Sequence, residues 1–195
     1  RCNRKVKSGR VLLAPGVKPV YEQVALAIAG NQGLTFERLP MDAETGTTAA
    51  DLADPGDIVA VVIQQPTFPG TLEDVDRLTD WAHEHGALVI ADEIYSKLVY
   101  DGRAFSSIAE LGPEIRERTI VIDGVSKTYA MTGWRIGWAA GPQEIISGMA
   151  RMQSHATSNA TSISQWASVE ALRQSSAEID RRKHEFQERR DLIVK

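Results

Sequence analysis

One cysteine, Cys2, stands in 195 residues, so no internal disulfide can form and a reducing, cytoplasmic setting is the default. A lone cysteine and four scattered histidines, His83, His85, His155 and His184, give no metal-ligand spacing, so no metal site is expected. No apolar run approaches membrane-spanning length, and RCNRKVKSGR at the start lacks the apolar core of a signal peptide. A net charge of −4 gives no footprint for nucleic acid. There is no Gly-x-Gly-x-x-Gly, and DGVSKT has Ser126 where a phosphate-binding P-loop needs glycine before its lysine.

What is present is an alternation. Short β-branched runs at 11–14, 35–39, 58–63, 87–91, 119–122 and 136–140 read as strands. Between and after them, 19–29, 72–85, 142–152 and 162–173 read as amphipathic helices, with Pro142 suited to a first helical turn. This pattern predicts an α/β fold in three αβα layers around a mostly parallel sheet, of a size for one large domain. A last helix over 177–194 is densely charged, with Ile179, Phe186, Leu192 and Ile193 as one thin packing face.

Ligands in such sheets sit at the carboxyl ends of strands. Three chemical side chains fall there: Asp92 and Tyr95 after ALVIA, and Lys127 after TIVIDGVS. Arg135 follows eight residues after the lysine, across a turn of small residues. A lysine, a carboxylate, a phenol and an arginine are what pyridoxal 5'-phosphate requires: an amine for covalent attachment, an acceptor for the pyridine N–H, a donor to the ring oxygen and a bidentate phosphate partner. Each also has a plainer reading. Lys127 could be a surface lysine, Asp92 a helix cap, Tyr95 a core residue, and Arg135 the partner of any nearby carboxylate.

The stretch GVSKTYAMTGWRIG, with DEIYSKLVYDG before it and QSHATSNATSISQWASVEAL after it, resembles the aspartate-aminotransferase group of fold-type-I pyridoxal-phosphate enzymes from about residue 91 to 195. The resemblance implies Lys127 as the Schiff-base lysine and catalytic base, Asp92 as the pyridinium partner, Tyr95 as the ring-oxygen donor and Arg135 as a phosphate ligand. Ser126 is a weaker phosphate candidate. It implies amino-group transfer between an amino acid and a 2-oxo acid, a site shared across a homodimer, and an antiparallel strand after the lysine loop.

Residues 10–90, with GRVLLAPGVKP and VVIQQPTFPG, look more like the glycine-decarboxylase P-protein of the same fold type, which predicts a join of two relatives, natural or engineered, near 88–92. Phe68 stands where aminotransferases carry a ring-contacting asparagine, and Val17 and Lys18 stand where a stacking aromatic or histidine is expected. Losing one stacked ring costs on the order of 1 kcal/mol. Gly124 departs from relatives that place a phosphate-binding serine there. The full family also has an earlier strand with a phosphate cradle and a C-terminal small domain, so the resemblance predicts one large domain without those two parts, with the helix over 177–195 leading out of it. Weak or absent turnover is expected, and a non-catalytic scaffold is the rival reading. A plain interaction module is the third.

Overall fold

The computed structural model describes residues 9–174 and 176–194. Cys2 and most of the basic N-terminal segment lie outside the described residues. The chain divides into two compact units, 1–89 and 90–195.

The first unit is built on a three-stranded parallel sheet in the order β2-β1-β3, with β1 Arg10–Leu13, β2 Thr35–Arg38 and β3 Ala60–Val62. In β1, Val11, Leu12 and Leu13 are all buried, as is Ala14 after it. A central parallel strand covered on both faces needs such an unbroken apolar run. Leu12 joins Leu39, Ile58, Ala82 and Ala87 in one core cluster, with Leu52, Val61 and Trp81 at its margin. Helix α1 (Pro19–Ala29) starts at its proline, whose missing N–H costs nothing there. Helix α2 (Val75–Glu84) is capped by Asp74, whose side chain accepts from the Arg77 N–H at 3.1 Å. It buries Leu78, Thr79 and Ala82. Glu73, just before it, is a buried carboxylate satisfied by the Thr48 N–H and hydroxyl at 2.9 and 3.1 Å.

The second unit holds a three-stranded sheet in the order β4-β5-β6, with β4 Val89–Asp92, β5 Thr119–Gly124 and β6 Gly137–Ala140. β5 and β6 run antiparallel, pairing Asp123 with Trp138 and Gly124 with Gly137, as the resemblance implied. A short helix, α3 (Pro113–Arg116), leads into β5. Three longer ones follow the sheet: α4 (Gln143–Ala156), α5 (Ser162–Gln174) and α6 (Ser176–Val194). Pro142 sits before α4 with an extended ψ of 132°, so it caps the helix instead of opening its first turn. The α/β class is therefore as expected, with parallel pairing in the first sheet and the antiparallel β5–β6 pair in the second.

The thin packing face expected on α6 is thinner still. Ile179 is buried against Val125 and Tyr129. Phe186, Leu192 and Ile193 are exposed. What fastens the later part of α6 is polar. Arg190 forms a bidentate pair with Asp101 at 2.7 and 2.8 Å, and Gln187 accepts from the Asp101 N–H. The Arg190 guanidinium holds the Asp101 carboxyl below the usual carboxylate range.

Candidate active site

β5 ends at Gly124, and the chain turns at once. The Tyr129 and Met131 N–H groups both donate to the Val125 carbonyl at 3.3 Å, and Ala130 N–H donates to Lys127 at 3.1 Å. Val125 and Tyr129 are buried on the side facing Ile179, so the turn has an apolar foot. That leaves Lys127, between them in sequence, to point away into solvent. The return to β6 passes through a single 3-10 turn, Thr132–Trp134, and needs left-handed backbone at Ala130 (φ 53°) and Arg135 (φ 56°). Non-glycine residues adopt that region at a cost of order 1 kcal/mol or more.

The lysine and the phenol come together. Lys127 Nζ lies 5.6 Å from the centroid of the Tyr95 ring, over its face. Tyr95 is 57 % exposed, which removes its reading as a core residue. Asp92, the last residue of β4, is exposed, and its Oδ1 accepts from the Ile94 N–H at 3.3 Å. The capping role weighed from sequence is thus partly real, as a local turn contact two residues on. Arg135 is exposed, and its guanidinium donates to the Thr132 carbonyl at 3.0 Å. Ser126 is half-buried at the start of the turn. Direct contact therefore joins only Lys127 and Tyr95, while Asp92 and Arg135 each lean on their own backbone.

Asp123 escaped the sequence reading. It sits one residue before the end of β5, half-buried, and its carboxylate accepts from the Gly124 N–H at 2.6 Å. Burial pushes its carboxyl up, the Gly124 N–H and Lys97 pull it back, and the Asp92 charge adds to the rise. Nothing in the spacing of Asp92 and Asp123 shows that they influence one another; the signal lies in sheet order, with β4 beside β5.

These elements fall inside residues 53–195, the stretch matched by the aminotransferase class I and II family. The chain belongs to that family. An aspartate aminotransferase of Geobacillus stearothermophilus is 44 % identical over 138 residues, covering 69 % of this chain and 35 % of that protein. One from Bacillus sp. (strain YM-2) is 38 % identical over 188 residues, 94 % of this chain and 44 % of that one. Among solved structures, an aromatic aminotransferase from Pyrococcus horikoshii superposes with a TM-score of 0.77 at 29 % identity, covering 98 % of this chain and 52 % of its own. The chain thus spans about half, or less, of the length of these relatives.

Three departures from the family pattern, at Gly124, Val17 and Phe68, have structural counterparts. A Cβ on Gly124 would sit 2.8 Å from the Ile136 carbonyl and 3.2 Å from Ile94 Cδ1. Serine cannot enter there unless β6 moves, so the glycine belongs to the close strand approach. In the first unit, Val17 is buried and so presents no stacking face. Phe68 is exposed, with Lys18 Nζ 5.5 Å from its ring centroid, and its backbone is tied to Gly16 by an N–H to carbonyl bond of 2.7 Å.

The donor set suits pyridoxal phosphate: a solvent-open amine against a phenol, with a carboxylate and a guanidinium on adjoining segments of the same unit. Among the described residues no cluster of His, Cys, Asp and Glu could hold a metal ion.

Proposed function

We propose that this chain is the pyridoxal-phosphate-binding core of an aspartate-type aminotransferase, which moves an amino group between an amino acid and a 2-oxo acid. The observation that carries the reading is Lys127 Nζ over the Tyr95 ring, at the end of the strand pair that also carries Asp92. When bound, the cofactor supplies an electron sink for the substrate's α-carbon. The chain's residues supply the rest. Lys127 would hold the group through Nζ and would serve as the base for the substrate's α-proton. Asp92 accepts the pyridine N–H, Tyr95 donates its hydroxyl proton to the ring oxygen, and Arg135 pairs with the phosphate, with Ser126 as a lesser donor. A homodimer in the cytoplasm is part of the same reading, supported by the family and by the scarcity of cysteine. Nucleic-acid and membrane partners are not: the chain is acidic, and among the described residues no helix is long and apolar enough to cross a membrane.

Turnover by these 195 residues alone is proposed to be weak. Lys127, Asp92, Tyr95 and Arg135 are all exposed, so water screens each charge that the chemistry would use. In its limit this is the rival reading, a folded scaffold without productive chemistry. A join of two relatives is a finer proposal. The division between compact units at residues 89 and 90 supports it, and the match to the Bacillus sp. enzyme across 94 % of the chain weighs against it.

The test is an absorbance spectrum after mixing with pyridoxal phosphate and desalting. A retained band that disappears in Lys127→Ala supports the cofactor reading, and no band leaves the scaffold. An assay with aspartate and 2-oxoglutarate separates the two further. Turnover on the order of 1 per second or more would overturn the weak-activity proposal.

A further inference from the structure

Away from Lys127, the second unit has a cleft of about 370 Å3, in the size range of small-molecule sites. Its charged lining is Lys97, Arg103, Arg173 and Lys183 against one carboxylate, Asp180. Such a gathering is unexpected in a chain of net charge −4. Several arginines elsewhere are paired: Arg10 with Glu37, Arg38 with Glu22, Arg190 with Asp101. Among the described residues, none of the four cleft cations forms a close ion pair, and at longer range Lys97 acts on Asp123 and Arg103 on Asp101. Carboxylates that could have served are engaged: Glu178 by Arg181 and Arg182, Asp101 by Arg190, and Glu93 by Ser107. Lys183 is half-buried, and Asp180, three residues before it on α6, is the one carboxylate lining the same cleft, so the cations outnumber it four to one.

The floor is firm and partly aromatic. Tyr129 is buried, packs on Ile179, and accepts from Lys97 Nζ at 3.1 Å. Phe105 lines the rim and is 43 % exposed. One connecting segment, after β4, and two helices, α5 and α6, thus present cations around an apolar base.

We propose that this cleft binds a phosphorylated small molecule carrying at least two negative charges, at a site separate from Lys127. The cations would take the phosphate oxygens, and the exposed Phe105 ring would meet a planar body. The proposal does not rest on the transaminase reading.

Titration calorimetry of the full chain at low ionic strength tests it with two probes, ADP and inorganic pyrophosphate. Saturable binding at one site is expected, weakened at least tenfold by Lys183→Glu and by Arg103→Ala, and unchanged by Arg135→Ala. Both cleft variants should still retain the pyridoxal-phosphate band if the native chain does. ADP binding tighter than pyrophosphate supports contact with the Phe105 ring; equal affinities would refute that contact. Two results overturn the proposal: no binding of either probe, or binding that survives both cleft substitutions in folded protein. Loss on Arg135→Ala instead would place the anion at the cofactor loop and equally refute it.

Discussion

The unit of residues 1–89 has the larger buried apolar core, although α1 buries none of its side chains, whereas the unit of residues 90–195 carries its chemical side chains on the outside. Val11, Leu12, Leu13, Ala14, Val17, Leu39, Ile58, Leu78, Ala82 and Ala87 are buried in the first. The second buries only Ala91, Ile120, Val125, Tyr129 and Ile179 among the apolar residues described, and leaves Ile122 and Trp138 of its sheet at the exposed threshold. The central strand β1 is buried on both faces while its neighbours β2 and β3 are not, and the antiparallel pair of β5 and β6 tolerates one wetter face. The lysine turn uses that tolerance. It needs just enough core, Val125 and Tyr129 on Ile179, to hold Lys127 on the other side.

The comparison can be broken most easily in the first unit. Ile58 has no exposed surface, so Ile58→Ala should cost about 2–5 kcal/mol, read as a lower denaturation midpoint in urea. Ile122→Ala, from a half-wet strand of the second unit, should cost well under half as much. Equal losses would mean that the units do not differ as described. Next in size is Gly124→Ala. The added Cβ meets backbone on β6, so a loss of about 1–3 kcal/mol is expected, together with a weakened pyridoxal-phosphate band. A neutral result would show that β6 yields freely.

Asp123 sharpens the contrast through pH. In the folded chain its carboxyl holds a proton to higher pH than its ordinary value of 3.8, so the folded state binds more protons in that window. Stability attributable to it is therefore present below 3.8 and lost as pH rises through the folded value. Asp123→Asn should raise the melting temperature at pH 7 and change it less at pH 4; the opposite order would mean that the carboxylate is stabilised where it sits. The smallest stability effect belongs to Lys127→Ala, within about 0.5 kcal/mol because the side chain is exposed, although it should remove the cofactor band entirely.

Much of this was legible in the sequence, and for physical reasons. Pro19 marks a helix start that no other residue type marks as sharply, and α1 spans 19–29 as expected. The β-branched runs gave all six strands within a few residues. Lys127, Asp92, Tyr95 and Arg135 stood out because their chemistry is unusual at strand ends. Other features depend on what lies across a strand. Gly124 looked like a missing phosphate ligand until Ile136 appeared opposite it. The influence of Asp92 on Asp123 needs the order of β4 and β5. Phe186, Leu192 and Ile193 were assigned to packing because apolar residues usually pack, but composition alone does not say whether a partner surface is present.

Arg135 carries two demands that pull apart. Its backbone, at φ 56° and ψ 47°, suits glycine or asparagine better than arginine. Its guanidinium, on the proposed reading, suits neither. In a saturation library scored for both properties, Arg135→Gly and Arg135→Asn should therefore rank among the gains in thermal tolerance and among the losses in cofactor retention. Selection for robustness alone would drift away from arginine at this position, and only selection for ligand binding would bring it back.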